Sequence, residues 1–390
     1  MWKLQENILG QADKDVLADY VKNSDRFTQF TKVKDFEAAW SLWQGCKYST
    51  YVNSGSSADL VMVDAVKEYY KIPDGSEVLV PAVTWTTNIS SVIQNRLKPV
   101  FVDVNLQDLS FDYKKLEKAI TKKTKIILVT HLIGLPANMD KIKTIADKHK
   151  LIILEDCCES HGATFKGKKV GNFGAASTFS FYWGHHMTTV EGGMICTDNE
   201  ELNDLFILKR SHGLARELDS SKHQKYKDLY PGIDFNFLFL THGYNVRNTE
   251  LHAVLGLVQL GHLDRYISSR SQNHKKFLAI IKPIRGKLYH IDHEGISSFC
   301  LPFIFKSTKD KDKLKAELLR QQVENRPIVG GNLLRQPCFS QFGKPEDFPN
   351  AEIAHHNGLY IGNNQFVNSG RLALLEKIIG EVFNPEGSGL

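Results

Sequence analysis

Residues 179–198 read FSFYWGHHMTTVEGGMICTD. An apolar run ends in Ser180, Phe181 and Tyr182, a polar loop follows with two adjacent histidines, His185 and His186, and Glu191-Gly192-Gly193 opens a second apolar run. Two runs this short, bounded by turn residues, predict two strands joined by a loop that carries chemistry.

Working outward, four more runs share that character: EVLVPAVT (77–84), PVFVDV (99–104), KIILVTHLIG (125–134) and LIILED (151–156). Several are apolar on both faces, as a buried parallel strand requires. Between them FDYKKLEKAI (111–120) and NMDKIKTIADKHK (138–150) repeat at helical spacing. Strands alternating with helices predict an α/β domain with crossover connections. Residues 248–281 read as one long helix, or two. Beyond them, 289–306 suggests antiparallel strands and 310–323 a helix. The expected organisation is an N-terminal arm and helix over 1–25, a large domain over 26–264 and a smaller α+β domain over 265–390. The tail 384–390 reads as frayed.

The 390-residue chain is 42% hydrophobic and 24% charged, with a net charge of +5, the composition of an ordinary globular protein. Its lysines alternate with acids, which predicts solvated helix faces and no nucleic-acid partner. No apolar run approaches the roughly 20 residues that span a membrane. The N-terminus lacks the pattern of a signal peptide. The six cysteines form no CxxC pair, so no metal site is expected, and reduced thiols in a cytoplasmic protein are.

Single motifs carry less. Gly55-Ser56-Ser57 sits where a turn feeds a helix, either a phosphate cradle or a plain serine cap. Asp156 ends a buried strand, where α/β folds place ligands or where an acid caps the next segment. Trp85 follows another strand, to stack on a ring or to fill the core. Asn245 and Arg247 precede the long helix, and Arg326 precedes a proline and two glycines in a loop.

Taken together and in order, SGSSAD, PAVTWTT, THLIGLPANMD, EDCCESHGA, TFSFYWGHH…EGGM, RSHG, GYNVRNTELHAVLGLVQL and RPIVGGN resemble the nucleotide-sugar aminotransferase and dehydratase family of pyridoxal phosphate enzymes. The resemblance runs over about 20–380. It implies the aspartate aminotransferase fold (fold type I): a large domain on a mixed, mostly parallel sheet and a smaller C-terminal α+β domain. It implies that Gly55, Ser56, Ser57 and Ser180 bind the cofactor phosphate and that Trp85 stacks on the pyridine ring. Asp156 would pair with the ring nitrogen, Glu159 would stand beside the cofactor, and Asn245 would reach the phosphate of a neighbouring subunit in a homodimer. His186, Arg247 and Arg326 are assigned to the sugar substrate.

In this family one lysine holds the cofactor, with three residues between it and the preceding Ser-Phe and five between it and the following Glu-Gly-Gly. Both counts put His185 in that slot, and no lysine lies between Lys169 and Lys209. Imidazole cannot tether the cofactor covalently but can move a proton, with an ordinary pKa near neutrality. With Glu159 in place of the usual glutamine, this is similar to the family's sugar 3-dehydratases, those acting on GDP-4-keto-6-deoxymannose above all. The resemblance implies pyridoxamine phosphate and pyridoxal phosphate as cofactor forms, L-glutamate as amine donor, and a nucleotide-linked 4-keto-6-deoxy sugar as substrate. It also implies release of ammonia. Three scattered cysteines after His185 fit no iron–sulfur cluster. An aminotransferase that tolerates histidine, or an inactive binding protein, are the alternatives.

Overall fold

In a computed structural model, which describes residues 1–383, all six expected runs form strands. The strands are β1 (Tyr48–Val52), β2 (Glu77–Pro81), β3 (Lys98–Val102), β4 (Thr124–Thr130), β5 (Ile152–Asp156), a short hairpin of β6 (Thr164–Phe165) and β7 (Lys168–Lys169), β8 (Ala176–Ser180) and β9 (Gly193–Thr197). Seven of them make one sheet in the order β1-β9-β8-β5-β4-β2-β3. Only β9 runs against the others, paired antiparallel to β1 and β8, while β8, β5, β4, β2 and β3 are parallel. The sheet is thus mixed and mostly parallel, as expected.

Alternation along β4 shows why the strands read as continuous apolar runs. Ile126 and Leu128 pack into the core on one face, Ile127 and Val129 into a separate cluster on the other. Helices α2 (Thr31–Gln44), α3 (Gly55–Tyr69), α4 (Thr86–Gln94), α5 (Tyr113–Lys118), α6 (Met139–His149) and α7 (Glu200–Arg210) pack on the faces of the sheet; α1 (Gln11–Asn23) and α8 (His223–Leu229), the latter with no buried side chain, lie off it. The helix over 139–149 starts where the sequence signals it. Asn138 caps it by accepting from Lys141 N–H at 3.2 Å, and Lys150 ends it in the left-handed region.

The stretch read as one helix or two is a single helix, α9 (Glu250–Ile280), 31 residues long and unbroken through 264 and 265. It leads to a second, antiparallel sheet of β10 (Cys300–Ile304), β11 (Asn325–Arg326) and β12 (Gly358–Gly362). Helices α10 (Thr308–Arg320), α11 (Pro349–Asn357) and α12 (Ser369–Phe383) accompany this sheet. The N-terminal arm is pinned to it: Trp2 donates its indole N–H to Gly362 O at 3.1 Å and its backbone N–H to Gln322 O at 2.9 Å. The expected fraying of 384–390 lies outside the described residues. Among the described residues, no helix is long and apolar enough to cross a membrane.

Candidate active site

β1, β2, β4, β5 and β8 point the same way, so their carboxyl ends share one edge of the sheet, where α/β folds take ligands. A cavity of about 390 Å³ opens there. Its walls are the turns that follow these strands: Ser54–Ser56, Trp85, His131, Asp156 with Cys158 and Glu159, and Ser180 with Tyr182 and His185. Phe299, Arg326 and Tyr360 close it from the small domain, and Gln5 of the arm completes it.

The N-terminus of α3 forms one wall. Ser54 caps it, its Oγ accepting from Ser57 N–H at 3.1 Å. The amides of Gly55 and Ser56 then have no protein acceptor among the described residues, which is the condition for an anion site. A side chain at Gly55 would place its Cβ 2.6 Å from Ser180 Cβ and 3.1 Å from Cys158 Sγ. Only glycine therefore lets the helix end close on β8. Ser57 spends its amide on the cap and does not line the cavity.

Opposite lies Asp156, at the end of β5 and 4% exposed. Its Oδ1 accepts from Cys158 N–H at 2.9 Å and its Oδ2 from the Asn88 amide at 2.8 Å. Trp85 stands at the start of α4 and is 55% exposed, so it is a cavity aromatic and not a core tryptophan. Glu159 lines the cavity and accepts from Ile133 N–H at 2.8 Å. Burial outweighs that bond and, with Asp156 adding repulsion, pushes the Glu159 carboxyl up to about 7.

His185 and His186 part company. The His185 imidazole lines the cavity, beside Phe299 with ring centres 5.5 Å apart. The His185 backbone N–H donates to Tyr182 O at 3.0 Å, and the His185 backbone carbonyl accepts from Arg270 at 3.3 Å. Burial and the Arg270 guanidinium push the imidazole down to about 3. This lies below the near-neutral value expected of an ordinary imidazole, and leaves His185 neutral at pH 7. His186 is fully buried, bonded through Nε2 to Ser297 O at 3.2 Å, and does not reach the cavity. Nor do Asn245 and Arg247 of the same chain, whose side chains bond each other at 3.1 Å. Asn245 is exposed.

Among the residues lining the cavity there is no lysine. His131, Tyr182, Glu191, Gln5, Phe299 and Tyr360 are lining residues that motif reading did not assign. The first three lie inside the motifs, but the last three come from remote segments with no local signal. His131, Glu155 and Cys157 bring metal-ligand atoms within 4.8 Å of one another, yet His131 and Glu155 are already hydrogen-bonded to protein groups. His131 Nδ1 accepts from Ala137 N–H at 3.0 Å and Nε2 meets Glu155 at 3.1 Å. Glu155 also accepts from the amides of Gly171, Phe173 and Gly174. That group braces the strand ends.

Comparison with known proteins agrees with this geometry. The model of the DegT/DnrJ/EryC1/StrS aminotransferase family matches residues 10–371. The chain is 35% identical over 354 residues to GDP-4-keto-6-deoxy-D-mannose 3-dehydratase of Escherichia coli O55:H7, covering 88% of this chain and 91% of that protein. A crystal structure of a histidine-to-asparagine variant of GDP-4-keto-6-deoxymannose-3-dehydratase with bound GDP-perosamine superposes with a TM-score of 0.89 at 33% identity, over 97% of this chain and 100% of the other. A second, of that dehydratase with a trapped PLP-glutamate geminal diamine, gives 0.87 at 32%, with the same coverage. The chain belongs to the DegT/DnrJ/EryC1/StrS aminotransferase family and is a pyridoxal phosphate enzyme of fold type I.

Proposed function

We propose that the protein is a 3-dehydratase, which removes the C3 hydroxyl of a nucleotide-linked 4-keto-6-deoxyhexose. GDP-4-keto-6-deoxymannose is the substrate favoured by the similarity to the dehydratase of Escherichia coli O55:H7. The observation that carries the reading is a cavity lined by the His185 imidazole and by no lysine. The net change joins sugar and L-glutamate to give the 4-keto-3,6-dideoxy sugar, 2-oxoglutarate and ammonia.

The residues present fit the cofactor. The free amides of Gly55 and Ser56, with the Ser56 and Ser180 hydroxyls, would hold its phosphate. Trp85 would cover one face of the ring. Asp156 would set its carboxylate against the ring nitrogen, a charge-assisted contact at the end of a rigid strand. When bound, pyridoxamine phosphate supplies an electron sink next to the sugar's C4. His185, neutral and fixed by its own backbone bonds, would serve as the group that holds and moves a proton at the cofactor's methylene carbon. Arg326 is the arginine on the cavity wall and would meet an anionic group of the sugar nucleotide or of glutamate. Asn245 would complete the phosphate site of a neighbouring subunit in a homodimer.

The test is a panel of nucleotide-linked 4-keto-6-deoxy sugars supplied with pyridoxamine phosphate and glutamate. Ammonia should appear with at least one GDP-linked member. Ammonia from none, with amino sugar formed instead, would favour an aminotransferase.

A further inference from the structure

Asp59, in α3, does not line the cavity, and nothing described so far uses it. It has no exposed surface. Thr178 Oγ1 lies 2.7 Å from its Oδ1, and Thr87 Oγ1 lies 3.2 Å from its Oδ2. The Asn88 amide nitrogen is 3.4 Å from Asp59 Oδ2 and 2.8 Å from Asp156 Oδ2. One side-chain amide thus links two buried carboxyl groups. The amide cannot turn away, because its oxygen accepts from Thr84 Oγ1 at 2.6 Å.

The surroundings of Asp59 offer no positive charge. β5 and the turn after it present Asp156 and the thiols of Cys157 and Cys158. β8 presents Thr178, and α4 presents Thr87 and Asn88. Two carboxylates this close, out of water and without a cation, repel each other, and a proton on one removes the repulsion. The Thr178 hydroxyl can accept from a protonated Oδ1 as well as donate to an ionised one.

We propose that Asp59 is a positioning residue of the cofactor site: it holds a proton while Asp156 is unpaired and releases it to water when a protonated pyridine nitrogen is set against Asp156. The balance is simple. One O–H bond of Asp59 breaks, the proton leaves to solvent, the ring keeps its own proton, and no electrons move. Before binding, the pair carries one negative charge. Afterwards two carboxylates face one pyridinium, and the net charge is again one negative. The buried charge is therefore conserved while the ring nitrogen gains a second carboxylate behind the first. Burial, with Asp156 adding to it, holds the Asp59 carboxyl well above its ordinary range. The inference rests on the assignment of Asp156 to the ring nitrogen.

The test uses the full chain, freed of cofactor, with pyridoxamine 5'-phosphate as ligand at each of pH 6, 7 and 8, the Glu159 carboxyl being common to wild type and variant. Calorimetric titration in buffers of different ionisation enthalpy counts the protons released. Wild type should release about one proton more than Asp59→Asn, since the ligand's own ionisations cancel in the difference. Infrared difference spectra of wild type alone should show a protonated carboxyl band that disappears on binding. Equal proton counts, or no such band lost in wild type, would overturn the proposal, and the second measurement stands even if the variant does not fold. Asp156→Asn separates the two possible failures. If it leaves affinity unchanged, Asp156 is not the ring partner and both readings fall. If it weakens affinity tenfold or more while the proton counts are equal, only the role of Asp59 falls.

Discussion

His185 lines the cavity on a loop held by its own backbone, where the family's spacing would put a lysine. Replacing it by lysine, His185→Lys, should let the cofactor attach covalently. Borohydride reduction followed by mass analysis would show the adduct, and dehydration should fall by about two orders of magnitude or more, the usual worth of a placed general base. An adduct in His186→Lys and none in His185→Lys would contradict the geometry. Glu159 offers a second test with a definite sign. Its carboxyl, ordinarily near 4.5, is pushed up to about 7. A raised carboxyl leaves the folded state unpenalised below its unfolded value and costs stability as pH rises through the folded one. Glu159→Gln should therefore stabilise the cofactor-free protein at pH 8, by about 1–3 kcal/mol, and do little at pH 5. Melting curves at the two values check this, and an equal effect at both would contradict it. His185 and Asp156 could be named from the sequence because the family's ordered motifs mark their positions, and both line the cavity. Gln5, Phe299 and Tyr360 could not, because only the folded chain brings the arm and the small domain onto the cavity.

The α3 N-terminus works as a cradle only if its first residue has no side chain. Gly55→Ala would drive a methyl group to 2.6 Å from Ser180 Cβ. We expect at least a tenfold loss of pyridoxamine phosphate affinity by calorimetry and, from overpacking, a destabilisation of about 1–3 kcal/mol. Unchanged affinity would remove this helix end from the phosphate site. Strands β2, β3, β4, β5, β8 and β9 were legible as elements, since burial on both faces or tight turn boundaries marked them. β1 was not assigned. Its sequence, Tyr-Ser-Thr-Tyr-Val, mixes small polar residues with aromatics, and it stands at the edge of the sheet beside β9, with one further bridge from Val52 to Arg247. The long helix was legible by its spacing, but the sequence did not show that it stays unbroken between the large sheet and the small one.

At the scale of the whole molecule the fold class was legible only from the ordered series of motifs. Composition and periodicity reached α/β and stopped there. Asn245 is exposed and lies outside the cavity of its own chain, which suits a residue that serves a neighbouring subunit. If the working unit is a homodimer with shared sites, mixing Asn245→Ala chains with His185→Phe chains should restore activity. Random exchange makes half the dimers mixed, each with one intact site, so recovery should reach about a quarter of wild type. No recovery despite proven exchange would mean that each site is built from one chain. The central claim is that a lysine-free cavity leaves the amine nitrogen out of the sugar. The most direct measurement follows nitrogen-labelled glutamate through turnover with GDP-4-keto-6-deoxymannose. The label should appear in free ammonia, one per sugar dehydrated and one per 2-oxoglutarate formed. Label retained in a 4-amino sugar would contradict the account, because His185 would then be serving an aminotransferase.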